Sequence, residues 1–142
     1  MDLNADVGDV EAIEAMLDAT MERFGRLDVI VNNAGVTRKA YIMDLTEADW
    51  DRIHRVNAKG VFFCLQSAAS TMIEQGGGGR IINIGSIAGY LPLGALGPPG
   101  DPEAWSLGSY SYQQTKFAVL GLTRQLAGEL GKYGVTANTI AP

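Results

Sequence analysis

Tyr112 and Lys116 stand four residues apart in a segment with helical periodicity, a spacing that places both side chains on one face of a helix. The helical rise separates them by about 6 Å along the axis. An ordinary phenol, with a pKa near 10, is ionised in only about one molecule in a thousand at pH 7. A fixed ammonium favours the phenolate, and a shift of about three pKa units corresponds to roughly 4 kcal/mol.

This pair can therefore act as a general acid/base near neutral pH. The same spacing is also common on solvent-exposed faces of amphipathic helices, so by itself it leaves the exposed alternative open. Tyr110 competes for the role, but Gln114 rather than a Lys follows it by four residues.

Two further polar residues stand where a reacting oxygen or a proton path could be supported. Ser86 follows an apolar run at residues 80–84, and its hydroxyl could stabilise charge developing on a substrate carbonyl. It could equally be a simple turn residue. Asn57 lies within a helical stretch, where an Asn competes for backbone hydrogen bonds. By itself it is expected to face solvent unless it has a specific polar task.

The segment Asn32-Asn33-Ala34-Gly35 ends another short apolar run. Small residues here allow a ligand close to the backbone, and the Asn amides can hydrogen-bond to neighbouring strands. The same four residues are also an ordinary turn signal.

Alternating helix and strand signals must position these residues. The predicted elements are a helix capped by Asp9 and ended by Gly25, a strand at 28–33, a helical stretch from the capping box Thr46-Glu47-Ala48-Asp49 to about Gln75, a strand at 80–84, a helix at 111–130 ended by Gly131, and a strand from Val135. Apolar strands alternating with helices predict an α/β fold, a doubly wound parallel sheet with helices on both faces. In such sheets ligands bind beyond the carboxyl ends of the strands.

Composition excludes several classes of function. The 142 residues carry 16 acidic and 11 basic side chains, a formal net charge of -5, so nucleic acid is not an expected partner. Cys64 is the single cysteine and His54 the single histidine, which excludes an internal disulfide and predicts no metal site. The N-terminus does not read as a secretory signal, and no apolar run approaches the ~20 residues that span a bilayer. We expect one cytoplasmic domain at 1–142 without a membrane segment.

The segment at about 91–108 is rich in Gly and Pro and has no periodicity. A structureless stretch of this length is typical of a functional lid or an insertion.

Taken in order, these motifs resemble the short-chain dehydrogenase/reductase family, whose members carry NNAG, a Ser and YxxxK in this sequence order. The residues that carry the resemblance are Asp6, Val7, Asn32-Asn33-Ala34-Gly35, Asn57, Ser86, Tyr112-Gln113-Gln114-Thr115-Lys116 and 135–142. The resemblance covers essentially the whole chain. It implies a Rossmann-like fold and an oxidoreductase that moves hydride between NAD or NADP and a carbonyl or secondary alcohol.

The resemblance also implies a role for each residue. Tyr112 would be the acid/base on the substrate oxygen, and Lys116 would favour its ionised form and hold the nicotinamide ribose. Ser86 would position the carbonyl, while Asn57 would anchor a water in the proton path to Lys116. The implied cofactor-binding residues are Asp6 and Val7 beside the adenine, Asn32, Ala34 and Gly35 along the cleft, and Tyr112 and Lys116, with Asn33 mainly tying strands together.

Three departures from the family pattern lead us to expect a fragment. The glycine-rich turn that holds the pyrophosphate is missing, and with it the strand end that separates NAD from NADP. The chain ends at Pro142, before the segment that closes over substrate, and the separation of Ser86 from Tyr112 is about twice the usual one, with the excess in 91–108. We expect the 142-residue chain alone to bind cofactor poorly, to be unstable, and to have little or no activity. Family members usually form dimers or tetramers through the helices that bear Asn57 and Tyr112.

Two alternatives stay open. The chain could be a non-catalytic fragment or interaction module of the same fold, because the pyrophosphate turn is missing. A sugar epimerase or dehydratase also uses Tyr-x-x-x-Lys, although Asn32-Asn33-Ala34-Gly35 points away from that group. The substrate is open among a 3-oxoacyl thioester, a sugar and a steroid.

Overall fold

The computed structural model describes residues 1–91 and 108–142. The predicted insertion at about 91–108 therefore lies almost wholly outside the described residues. The helices and strands, in chain order, are α1 (Val10–Phe24), β1 (Val29–Asn32), α2 (Glu47–His54), a π-helical segment (Arg55–Gly60), α3 (Val61–Gln75), β2 (Gly79–Ile84), α4 (Tyr110–Leu130) and β3 (Val135–Ile140). Among the described residues, no helix has both the length and the apolar character needed to cross a membrane.

The three strands form one parallel sheet in the order β1-β2-β3. Asn32 of β1 lies opposite Asn83 of β2, and Asn83 lies opposite Thr139 of β3. Because the strands are parallel, their carboxyl ends meet at one edge of the sheet. The segments that follow them, including Ser86, are thereby brought to the same edge.

The helices α1, α3 and α4 pack on one face of this sheet. Ile30, Ile81 and Val135 point from the three strands into a single core shared with those helices. Val29 and Val31 point the other way and are about half exposed. The parallel α/β sheet is the one that the sequence pattern predicted, and among the described residues the helices α1, α3 and α4 lie on one of its two faces. Right-handed crossovers that step in one direction, from β1 to β2 to β3, place every connecting helix on the same side.

Local sequence signals account for most helix ends. Asp9 caps α1 by accepting from the Glu11 amide, and Gly25 ends that helix in a left-handed conformation. Thr46 and Asp49 form the predicted capping box at the start of α2.

The helical predictions hold, with one addition. The stretch predicted to run to about Gln75 is helical throughout, and it contains the π-helical segment Arg55–Gly60 between two α-helices. The fourth helix ends at Leu130 with Gly131 as its C-cap, as predicted. Gly131 keeps a helical φ of -55°, a 3-10 turn follows it, and Gly134 takes the left-handed conformation with φ 73°.

Candidate active site

A cleft of about 360 Å³ opens at the carboxyl edge of the sheet. Its walls come from the segments after β1 and β2, from the first turns of α4 and from the end of β3. The residues that line it are Asn33, Gly35, Ile84, Gly85, Ser86, Tyr112, Lys116 and Pro142. Ser86, Tyr112, Lys116 and Gly35, which sequence analysis selected from separate motifs, therefore face one space.

Lys116 lies close to the aromatic ring of Tyr112. Its Nζ is 5.3 Å from the ring centroid, and the residue is only 5% exposed. The ammonium donates a hydrogen bond of 2.5 Å to the carbonyl oxygen of Ile84, the last residue of β2. Burial lowers the pKa of Lys116 below the ordinary value for a lysine. The amine is thus held at a strand end, beside the phenol, in a partly dehydrated site.

Tyr110, the competing tyrosine, is not among the cleft residues. Its ring packs against Gly108, where a Cβ would meet ring carbons. The structure therefore separates the two tyrosines, and only Tyr112 shares the cleft with Lys116.

Ser86 is placed by the turn that follows β2. Its backbone is extended, with φ -168° and ψ 154°, and it begins the short 3-10 turn Ile87–Gly89. The Ser86 Oγ accepts from the Ala88 amide at 3.2 Å. A hydroxyl that accepts through a lone pair keeps its own proton for donation. The Ile87 amide donates to the Pro142 carbonyl at 2.8 Å, which fixes this turn to the segment after β3.

Asn57 lies behind the cleft, and the expectation that it faces solvent when considered alone is wrong. It is 1% exposed and belongs to the π-helical segment. Its Oδ1 accepts from the Val36 amide and its Nδ2 donates to the Val36 carbonyl, both at 2.8 Å. A side-chain amide can satisfy both backbone groups of one residue in this way. Asn57 thus fixes the loop that carries Gly35.

The side-chain amide that ties two strands belongs to Asn32 and not to Asn33, which the resemblance implied. Asn32 Nδ2 donates to Asn83 Oδ1 at 2.8 Å, and Asn83 Nδ2 donates to Thr123 Oγ1 at 2.9 Å. Asn32 therefore ties β1 to β2, and Asn33, just beyond the strand end, is exposed and lines the cleft. Strand alternation explains the difference, because Ile30 and Asn32 point to the same side of the sheet.

A second, smaller cleft of about 120 Å³ adjoins the first at Asn33, which lines both. Val7, Asn32 and Ala34 are among its residues. Gly60 allows the helix to approach this region, since a Cβ there would collide with the Val7 carbonyl. Val7, Asn32 and Ala34 are thus brought together one step along the sheet edge from Ser86 and Tyr112.

Asp6 does not line either cleft. Its Oδ1 accepts from the Gly8 amide at 2.8 Å, and its Oδ2 accepts from Arg55 Nη1 at 2.7 Å. The Arg55 hydrogen bond, followed by that of Gly8, holds the pKa of Asp6 below its ordinary value.

Sequence analysis missed Thr115 and the carbonyl of Ile84. Thr115 is fully buried and accepts a hydrogen bond from Asn57. No spacing rule selects a backbone carbonyl, and Thr115 gave no signal beyond its place inside the Tyr-x-x-x-Lys motif.

Comparison with known proteins gives the family of the chain. The family model described as short chain dehydrogenase matches residues 1–142, so the chain belongs to the short-chain dehydrogenase family of oxidoreductases. The 3-oxoacyl-[acyl-carrier-protein] reductase FabG of Staphylococcus aureus is 40% identical over 140 residues, which are 99% of this chain and 51% of the relative. The chain therefore spans about half the length of the curated relatives it matches.

Solved structures give the same fold. A short-chain dehydrogenase/reductase from Burkholderia phymatum in complex with NAD superimposes with a TM-score of 0.87 at 28% identity, covering 100% of this chain and 47% of that one. The structure described as ElxO with NADP bound gives a TM-score of 0.83 at 33% identity, covering 99% of this chain and 51% of that one. The Rossmann-like α/β fold class expected from the sequence is thereby confirmed.

Proposed function

We propose that these residues carry the catalytic groups of an NAD(P)-dependent oxidoreductase that interconverts a carbonyl and a secondary alcohol. The observation that supports this most directly is the shared cleft of Ser86, Tyr112 and Lys116, with the Lys116 amine 5.3 Å from the Tyr112 ring. Family membership and the NAD- and NADP-bound neighbours point to the same class of reaction.

The residues at the sheet edge fit a dinucleotide. Gly35 and Gly85 give the larger cleft a wall without side chains, where a flat ring can approach the backbone. Lys116 and Tyr112 offer donors for ribose hydroxyls there. In the adjoining cleft, Val7 and Ala34 offer apolar contact to the cofactor. We assign cofactor binding, for NAD or NADP alike, to the cleft residues Val7, Asn32, Ala34, Gly35, Tyr112 and Lys116. Asp6, which the resemblance places beside the adenine, is assigned as the neighbour of Val7 outside both clefts.

When bound, the cofactor supplies or accepts the hydride. The Tyr112 hydroxyl donates its proton to the substrate oxygen during carbonyl reduction and takes it back during alcohol oxidation. The Lys116 ammonium stabilises the phenolate that forms, because an opposite charge this close favours the ionised phenol. The Ile84 carbonyl holds that ammonium in place.

Ser86 and Asn57 support this proton transfer. Ser86 Oγ accepts a hydrogen bond from the Ala88 amide through a lone pair. The proton of its hydroxyl can therefore be donated to the substrate oxygen, where negative charge develops. Asn57 is proposed to support a water in the path to Lys116. Burial lowers the pKa of Lys116, so its ammonium releases a proton more readily than that of an ordinary lysine, which suits a member of that path.

The decisive assay uses the protein expressed from its complete reading frame. We expect calorimetry to detect binding of NADH or NADPH, and we expect turnover with one of a 3-oxoacyl thioester, a sugar or a steroid carbonyl. Ser86→Ala should lower kcat about 100-fold by removing one donor to the developing oxyanion. Ser70→Ala, at an exposed serine of α3, is the matched control. If the protein binds neither NADH nor NADPH, the proposal is contradicted.

Among the described residues one face of the sheet carries no helix, and this face favours a second candidate, a non-catalytic module that packs on another polypeptide. Val29, Val31 and Ile140 are each about half exposed on that face or at its edge. Calorimetry on residues 1–142 alone tests this candidate, because micromolar affinity for NAD(P) argues against a non-catalytic module. Poor binding is expected of both candidates, so the assay of the protein from its complete reading frame then decides between them.

Assembly through α3 and α4 is proposed as well. Phe62 of α3 and Phe117 of α4 are about half exposed, and a shallow apolar groove lined by Ala58, Ala118 and Phe62 runs between the helices. Exposed aromatic side chains beside small residues suit a helix-to-helix contact between two copies. We propose a homodimer or homotetramer built on this surface.

A further inference from the structure

Thr115 connects two walls of the cleft from behind. It is 0% exposed and lies one residue before Lys116 on α4. Its Oγ1 donates to the Tyr112 carbonyl at 2.7 Å and accepts from Asn57 Nδ2 at 3.3 Å. Asn57 in turn holds both backbone groups of Val36. A continuous hydrogen-bonded path therefore joins the loop after β1 to the helix turn that carries Tyr112.

The hydroxyl of Thr115 requires the same orientation of the Asn57 amide that the backbone of Val36 requires. A threonine hydroxyl has one proton, and here that proton is directed to the Tyr112 carbonyl. Thr115 can therefore only accept from Asn57, so the NH2 group of Asn57 must face it. Oδ1 is then directed to the Val36 amide, and the second N–H of Nδ2 to the Val36 carbonyl.

The consequence reaches the cleft through Gly35. Asn57 Oδ1 lies 3.5 Å from the position that a Cβ of Gly35 would occupy, so the amide packs directly beneath this wall. Rotation of Asn57 would break both bonds to Val36 and free the loop. The loop and α4 are the two sides between which Tyr112 and Lys116 act.

The geometry points to Thr115 as a positioning residue for the reaction. Together with Val36 it holds the orientation of Asn57, and through Asn57 it connects the Gly35 wall to the Tyr112 turn. This inference rests on the proposed oxidoreductase function, but its structural part is independent of turnover.

The test compares Thr115→Val, which keeps the shape and removes the hydroxyl, with Thr115→Ser, which keeps the hydroxyl. Thr20→Val is the control, because Thr20 is a half-buried threonine of α1 whose hydroxyl donates to a helix carbonyl, Met16 O, and it does not line the cleft. In the protein from its complete reading frame we expect Thr115→Val to lower kcat about 10- to 100-fold. Thr115→Ser should restore most of kcat, and Thr20→Val should leave it close to wild type.

A double-mutant cycle with Asn57→Ala adds a readout that general loss of stability does not move. If Thr115 acts through Asn57, adding Thr115→Val to Asn57→Ala lowers kcat no further. Multiplicative losses overturn the inference, as does a Thr115→Val enzyme with wild-type kcat.

Hydrogen exchange at the Val36 amide requires no activity. Thr115→Val should speed this exchange about 10-fold relative to Thr20→Val, because the bond to Asn57 Oδ1 is loosened. Unchanged protection overturns the inference even if the wild-type protein turns over. If the wild-type protein is inactive but Thr115→Val still speeds the exchange, the proposed function is contradicted and the structural role of Thr115 is retained.

Discussion

Gly78→Ala should destabilise the fold through a contact that Gly77→Ala lacks. Gly78 has φ 80° and Gly77 φ 83°, so both substitutions place an alanine in the left-handed region at a cost of about 1 kcal/mol. At Gly77 an added Cβ meets nothing within 4 Å. At Gly78 it would lie 2.5 Å from the Gly134 carbonyl oxygen, a backbone atom that must move.

The size of the difference follows from what the Gly134 carbonyl binds. It accepts from the Gly79 amide at 3.4 Å and from Arg80 Nη1 at 3.3 Å. Loss of both bonds costs about 2 kcal/mol at ~1 kcal/mol each. Gly78→Ala should therefore lower the free energy of unfolding by about 3 kcal/mol, and Gly77→Ala by about 1 kcal/mol.

Urea denaturation of the complete reading-frame protein measures both values, with an unchanged m-value as the check that compactness is preserved. The close approach of Gly78 to Gly134 matters for the site because it lies at the amino ends of β2 and β3. The register of these two strands places the turn that begins at Ser86 beside Pro142. If the two variants lower the free energy of unfolding equally, the reasoning is refuted, because the contact of the added Cβ at Gly78 with the Gly134 carbonyl then has no energetic cost.

Two further predictions concern association and pH. Phe117→Glu should convert the proposed oligomer to monomers in analytical ultracentrifugation, because it places a charge on the α3–α4 surface. Phe24→Glu, at a similarly exposed aromatic residue of α1, should leave the oligomer intact. If both variants keep the wild-type assembly, the α3–α4 surface is not the interface. Because the pKa of Asp6 is lowered in the folded state, its bond with Arg55 stabilises the fold above the ordinary carboxyl value of 3.8 and is lost as pH falls through the lowered value. Asp6→Asn should therefore flatten the acid limb of the unfolding free energy, and an identical slope in wild type and variant contradicts this contribution.

The sequence was sufficient for the elements because their signals are local. Capping by Asp9 and by Thr46, and the apolar runs of the strands, depend on neighbours within a few residues. The meeting of Ser86 with Lys116 could also be predicted, because parallel strands end at one edge and ligands bind there.

The features that were missed depend on contacts distant in sequence. The burial of Asn57 requires the loop at Val36 and the helix at Thr115, which lie 21 and 58 residues away. The strand-tying contact of Asn32, which the resemblance implied for Asn33, depends on where β1 ends, a boundary that a strand pattern locates only to within a residue or two. The one-sided sheet follows from strand order, which no local signal contains.

The rate of hydride transfer in Tyr112→Phe, measured at saturating cofactor and substrate in the complete reading-frame protein, tests the central claim most directly. Removing the proton that Tyr112 gives to the substrate oxygen should lower this rate by about 10²- to 10⁴-fold. Tyr110→Phe, in which the altered ring packs on Gly108 outside the cleft, should leave the rate close to wild type. Full turnover by Tyr112→Phe would contradict the account.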